Sequence, residues 1–111
     1  MKKPYIPKRG DVVWVNLPKT TGHIQSGRRP ALVLSPEVHN LKTKTAVICP
    51  MTLKPKGYHF EVLFPMNNFS RAILVDQIRT IDLGGRGVDF VTMVSRAVLD
   101  DVQAKLSVLV L

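Results

Sequence analysis

The sequence predicts a mainly β domain, a small barrel closed by one C-terminal helix. Two observations predict it. Short runs rich in β-branched and aromatic residues recur between clusters of turn-forming residues, and the hydrophobic period changes to a helical one only after Ser95. Short strands followed by a single helix pack most simply as a barrel with the helix against it. At 111 residues, 45% of them hydrophobic, the chain makes one domain over 1–111. A domain of this size buries roughly two-thirds of the surface its unfolded chain exposes. No internal repeat, low-complexity tract or linker divides it.

Asp11-Val12-Val13-Trp14-Val15, after Arg9-Gly10, is the first strand, and Leu17 to Gly27 a long polar loop. Pro30 to Ser35 is the second strand, with a turn or a single helical turn at Pro36-Glu37-Val38-His39-Asn40. Thr45 to Pro50 is the third, and Leu53-Lys54-Pro55-Lys56-Gly57 a basic turn. Phe60 to Phe64 is the fourth. Pro65-Met66-Asn67-Asn68 turns the chain into Ala72 to Ile81, a long or bent strand. Gly84-Gly85-Arg86-Gly87 is a further turn and Val88 to Val94 the last strand. Val98, Leu99, Val102, Leu106 and Leu109 then share one helical face, with Ser95 as N-cap. The apolar end, Ser107 to Leu111, packs on the barrel or takes part in a dimer.

Composition narrows the function. The lone cysteine, Cys49, sits in an apolar run and makes no internal disulfide, which suits a reducing cytosol and a buried structural thiol. Lys2 and Lys3 are followed by Pro4, Pro7, Lys8 and Arg9 rather than an apolar core, so no signal peptide is expected. No run is long enough to cross a bilayer, and the expectation is a soluble cytoplasmic protein. The formal net charge is +8. Residues 1–60 hold eleven Lys and Arg against two acids, Asp11 and Glu37, whereas 61–111 hold five against six. That asymmetry predicts one basic face for a polyanion, nucleic acid above all.

The stretch Gly22-His23-Ile24-Gln25-Ser26-Gly27-Arg28-Arg29-Pro30 runs straight into Ala31-Leu32-Val33-Leu34. It sets an imidazole, an amide and two guanidinium groups at the edge of a sheet, a combination that suits phosphate. His23, His39 and His59 lie far apart and with one cysteine form no metal-ligand spacing, so neither metal nor cofactor is expected. Gly84-Gly85-Arg86-Gly87 has neither a Walker nor a dinucleotide pattern. Trp14 and Phe60 read as core, Tyr58 and Phe69 as better surfaces for base stacking. A metal-free phosphate site points to RNA, whose 2′-hydroxyl can attack the adjacent phosphate if a base, an acid and anion donors are supplied. Arg29 suits the donor role, and its always-charged guanidinium makes a poor base. His23 titrates near neutral pH and can serve as acid or base, or lie on the surface without a role.

Four segments together resemble the MazF/PemK family of toxin endoribonucleases, the mRNA interferases of bacterial toxin–antitoxin pairs. They are Arg9 to Val15, Gly22 to Pro36, Pro50-Met51-Thr52 with Lys56-Gly57-Tyr58, and Asp76-Gln77-Ile78-Arg79-Thr80-Ile81-Asp82 with Arg86. The resemblance covers nearly the whole chain. It implies an SH3-like barrel with a C-terminal helix, a homodimer, and metal-free cleavage of single-stranded RNA at short sequences. It also implies an antitoxin whose acidic C-terminal tail folds into the basic groove. Carried over by residue, it implies Arg29 on the scissile phosphate, Thr52 donating to the phosphorane, and His23 and Asp76 in acid–base roles. Gln25, Arg28, Lys54, Lys56, Gln77, Arg79 and Arg86 fall in segments that line the family's RNA groove.

The chain departs from the family pattern twice. Relatives of the PemK-like branch carry an arginine two positions before the aspartate, where this chain has Leu74. Most relatives carry a glutamate where this chain has Ile24. Two other readings therefore stand beside the ribonuclease. One is a catalytically weak or inactive nucleic-acid-binding barrel. The other is a gyrase-directed toxin resembling CcdB, against which the ending Val110-Leu111 speaks, because such toxins depend on a terminal Trp-Gly-Ile.

Overall fold

The structure is a computed structural model that describes residues 5–19, 22, 24–66, 70–84 and 88–111. β1 (Asp11–Leu17) and β2 (Gly27–Val33) form an antiparallel pair with Val15 opposite Arg29 and Leu17 opposite Gly27. Both strands reach into the stretch expected to be loop, because ladder pairing with β1 outweighs the polarity of Gly27-Arg28-Arg29. Alternation along β2 then sends Arg28 and Arg29 to opposite faces of the sheet.

α1 (Glu37–Thr43) is a true helix where the sequence predicted a turn or one helical turn. Its apolar residues do not form it: Val38 and Leu41 are exposed. Asn40 does, as a fully buried pin whose amide donates to the carbonyls of Pro7 at 2.9 Å and Ser35 at 3.1 Å. Its oxygen accepts from the Ser35 hydroxyl at 2.6 Å. Ser35 Oγ in turn accepts from the Val47 amide at 2.8 Å, which ties the helix to the next strand, β3 (Thr45–Thr52).

β4 (Glu61–Leu63) is shorter than expected. The strand expected over Ala72–Ile81 is two strands, β5 (Ala72–Leu74) and β6 (Arg79–Asp82), separated by a 3-10 turn (Val75–Gln77). Both pair with β3 but in different registers, Met51 opposite Ile73 and Ile48 opposite Arg79. The offset between the two registers is three residues, which the 3-10 turn takes up. Asp76 and Gln77 are thereby lifted out of the ladder.

β7 (Asp89–Met93) pairs with β1 across an irregularity at Val12/Val13. α2 (Arg96–Val110) is the helix the period change predicted, with the Ser95 hydroxyl accepting from the Val98 amide at 3.2 Å. The sheet runs β4-β5-β3-β2-β1-β7, with β6 also on β3. It is open, since the outer strands β4 and β7 do not pair, and the expected fold class, mainly β with one C-terminal helix, is what the chain adopts. Val62 of β4 and Val91 of β7 share one apolar cluster with Val98, Leu99, Val102 and Leu106 of α2. The helix fills the place a closing strand pair would take. A second cluster, built on Val13, Val15, Ala31, Val33, Ala46 and Ile48, packs the other face.

Cys49 is fully buried, as expected, and burial together with the nearby Asp76 charge pushes its thiol up to about 12. Phe60 packs against the first cluster. The last four residues, Val108 to Leu111, remain exposed. No helix among the described residues is long and apolar enough to cross a membrane.

Candidate nucleic-acid interface

A groove of about 320 Å³ opens where the β1–β2 connection, the end of β3, the β3–β4 loop and the 3-10 turn meet. Its walls include Ile24 and Gln25, Thr52, Lys54 and Lys56, Tyr58 and Glu61, and Leu74, Asp76 and Gln77. Six residues singled out from the sequence thus converge here: Gln25, Thr52, Lys54, Lys56, Asp76 and Gln77. Their chain separation is bridged by β3, which carries Thr52 at its end and holds both β5 and β6 beside it.

Arg29 flanks this groove. The β2–β3 pairing runs from Val33 opposite Ile48 to Ala31 opposite Pro50 and stops two residues short of Arg29 on β2 and of Thr52 on β3. Arg29 is half-buried, and its Nε donates to the Ser26 carbonyl at 2.6 Å, which fixes the side chain while leaving both terminal nitrogens for another acceptor. No carboxylate among the described residues forms an ion pair with Arg29, Lys54 or Lys56. Thr52 is buried, and its Oγ1 accepts from the Lys54 amide at 3.2 Å, so the hydroxyl shapes the turn and retains its own proton to donate. Asp76 is exposed at the tip of the 3-10 turn. Gln77 Oε1 accepts from the Gln25 amide at 2.8 Å and so fastens the β1–β2 connection to the 3-10 turn.

Four other predicted residues stand elsewhere or outside the described chain. Arg28 lies 5.4 Å over the Trp14 ring and pairs with Asp89 at 3.3 Å, toward β7 rather than the groove. Arg79 lines a separate hollow of about 390 Å³ with Asn16, Thr80 and Asp82. His23 and Arg86, like the stacking candidate Phe69, fall outside the described residues. Tyr58, the other stacking candidate, is 62% exposed on the groove wall. Sequence reasoning missed Glu61, whose carboxylate faces back into the β3–β4 loop. A glycine turn followed four residues later by an acid was the available signal.

The electrostatics are balanced rather than overwhelmingly basic. Lys54 and Lys56 share the groove lining with Glu61 and Asp76, and Ile24 adds apolar surface, 47% exposed. The arrangement supplies fixed anion donors (Arg29, the lysines), a buried hydroxyl (Thr52) and an exposed carboxylate (Asp76) around one channel. Such a set fits an extended polyanion whose phosphate is held while a proton moves.

Comparison with known proteins agrees in sequence and in shape. The family described as "PemK-like, MazF-like toxin of type II toxin-antitoxin system" matches residues 8–110. The endoribonuclease toxin MazF of Escherichia coli (strain K12) is 37% identical over 110 residues, which cover 99% of each chain. The endoribonuclease EndoA of Bacillus subtilis (strain 168) is 33% identical over 93% of each. The crystal structure of MazF from Deinococcus radiodurans superposes with a TM-score of 0.86 at 40% identity, covering 95% of this chain and 96% of that one. MazF in a MazE–MazF crystal from the same organism gives 0.81 at 40% identity and the same coverage.

Proposed function

Because this chain belongs to the PemK-like, MazF-like toxins of type II toxin–antitoxin systems, we propose that it is an endoribonuclease that cuts single-stranded mRNA without a metal. The observation that carries this reading is the meeting of Thr52, Asp76, Lys54 and Lys56 in one groove, with Arg29 held on the carbonyl of Ser26, next to Gln25 in the groove wall.

In the reaction the 2′-oxygen of one nucleotide forms a bond to its own 3′-phosphorus and the bond to the 5′-oxygen breaks. A 2′,3′-cyclic phosphate and a 5′-hydroxyl result. The proton of the 2′-hydroxyl passes to a base, and the departing 5′-oxygen takes one from an acid. Arg29 holds the phosphate oxygens with its terminal nitrogens, and Thr52 donates to the same oxygens as they gain charge. Asp76 and His23 are the proton-transfer groups. Gln25, Lys54 and Lys56 hold the flanking nucleotides. Gln77 takes part through the Gln25 backbone, whereas Arg28, held by Asp89, and Arg79, in a separate hollow, stand outside the RNA contacts. The enzyme acts in the cytoplasm as a homodimer and stops translation and growth. An antitoxin with an acidic C-terminal tail, laid along the groove, silences it. The MazE–MazF crystals of the Deinococcus relative support a partner of this kind.

The test is cleavage of a long RNA by purified, antitoxin-free protein in excess EDTA, with the new ends mapped. Discrete cuts bearing cyclic phosphates are expected, and Arg29→Ala lowers the rate by about 10²–10³, the usual cost of losing a donor to the developing charge. Intact RNA at micromolar concentrations of folded protein overturns the reading.

A further inference from the structure

Glu61, the first residue of β4, is half-buried in the groove wall, where an acid repels a polyanion and where the phosphate chemistry has no use for it. Its carboxylate is engaged within the chain. Oε1 accepts from the backbone amides of Lys56 at 3.0 Å and Gly57 at 2.9 Å, and Oε2 from Lys56 at 3.2 Å. The Glu61 amide in turn donates to the Tyr58 carbonyl at 3.0 Å. Gly57 has φ +79°, which only glycine adopts without strain, and this turns two successive amides toward one anion. A single side chain therefore sets the conformation of the loop. What the loop presents is the exposed Tyr58 ring, with the Lys56 ammonium 5.8 Å from its centroid. A ring held at a groove wall beside a cation is a surface on which a nucleobase stacks while its phosphate meets the charge.

We propose that Glu61 is a positioning residue for substrate selection, holding Tyr58 and Lys56 as a platform for one RNA base beside the cleaved phosphate. The proposal rests on the ribonuclease reading above. It gives the groove's misplaced acid a purpose: with its oxygens turned onto the loop amides, it shapes the wall.

The experiment compares Glu61→Ala, Gly57→Ala and Tyr58→Ala with the intact protein. It has two readouts, cleavage kinetics with sequenced ends and binding to a randomised 2′-O-methyl RNA pool that cannot be cut. Each variant is expected to weaken binding and raise KM about tenfold, the worth of one stacked base, while kcat stays within about twofold. Base preference at one position flanking the cut should flatten. Glu61→Gln, which keeps an acceptor oxygen, and Tyr58→Phe, which keeps the ring, should retain the preference. Glu61→Ala with Tyr58→Ala should be no worse than Tyr58→Ala alone. Gly57→Ala and Tyr58→Ala are exposed-loop changes, so they decide the matter even if Glu61→Ala does not fold. Unchanged base preference in the variants, or a fall in kcat at constant KM, overturns the proposal and leaves the ribonuclease reading standing. Wild-type protein that binds the pool but never cuts, with binding lost in the variants, overturns the ribonuclease reading alone. Protein that neither binds nor cuts overturns both.

Discussion

Ile24 is the residue at which this groove departs most from what its chemistry calls for. Its side chain is 47% exposed in the lining that also holds Gln25, Thr52 and Asp76. A carboxylate there adds a second proton acceptor to a site for which Asp76 is the proposed acid–base group among the described residues, and it adds a negative charge to a groove that must attract RNA. These effects act on different kinetic constants. Ile24→Glu is expected to raise kcat several-fold, within the roughly 10²–10⁴ that a general base contributes, while KM also rises. Single-turnover cleavage at saturating protein separates the two; an unchanged or lower rate shows that Asp76 and its neighbours carry the proton transfer unaided. Arg28 and Arg29 make a related point about single residues. Adjacent in sequence and chemically identical, they are distinguished only by the parity of β2, which turns Arg28 to Trp14 and Asp89 and Arg29 to the Ser26 carbonyl.

At the scale of elements, what could be read in the sequence depended on whether an element is held by its own pattern or by a distant contact. β1, β3, β7 and α2 announce themselves through β-branched runs, glycine and proline punctuation, and a helical apolar face. α1 does not, because its only buried residue is a polar one, Asn40, whose partners Pro7 and Ser35 lie outside the helix. The break at Val75–Gln77 is also silent in the apolar run Ala72-Ile73-Leu74-Val75, since a three-residue register offset on β3 is a property of the partner strand. Closure by the helix was expected, and α2 provides it by packing residues of both outer strands into one cluster. Of the groove lining, Thr52, Asp76, Gln25, Lys54 and Lys56 were picked out through the family resemblance, and the structure brings them to one groove. Glu61 was passed over because its carboxylate bonds only within the loop before it, the one hint being an acid four residues after Gly57. The Asn40 account predicts that Asn40→Ala, which leaves the Pro7 and Ser35 carbonyls and the Ser35 hydroxyl short of partners, destabilises the fold by about 2–3 kcal/mol. That corresponds to a fall in Tm on the order of 10 °C. Thermal unfolding by circular dichroism measures it, and a shift within about 0.5 kcal/mol, as for an ordinary surface change, refutes the pin. Cleavage well below Tm should be unaltered, because Asn40 lies away from the groove.

Over the whole molecule the charge asymmetry of the sequence is rearranged by folding. The first half brings Arg29, Lys54 and Lys56 to or beside the groove; the second half brings Glu61 and Asp76 to the same place, and Asp89 to Arg28. With Glu61 engaged by loop amides, three cations face RNA against one free carboxylate, far fewer than the formal charge of +8 implies. Salt dependence is therefore expected to be shallow for so basic a protein. Each phosphate neutralised on a single strand contributes about −0.7 to the slope of log K against log salt, so three contacts give about −2. Replacing Lys54 and Lys56 together by alanine should remove about 1.4 of that slope. It should weaken all RNA sequences alike, in contrast to the base-selective loss expected at Tyr58. Fluorescence anisotropy of an uncleavable oligonucleotide, titrated across potassium chloride concentrations, measures both quantities. A wild-type slope of about −6 or steeper would mean that basic residues beyond the groove, from the excess of the first sixty positions, also lie along the RNA. A slope unchanged by the double substitution would remove Lys54 and Lys56 from the interface.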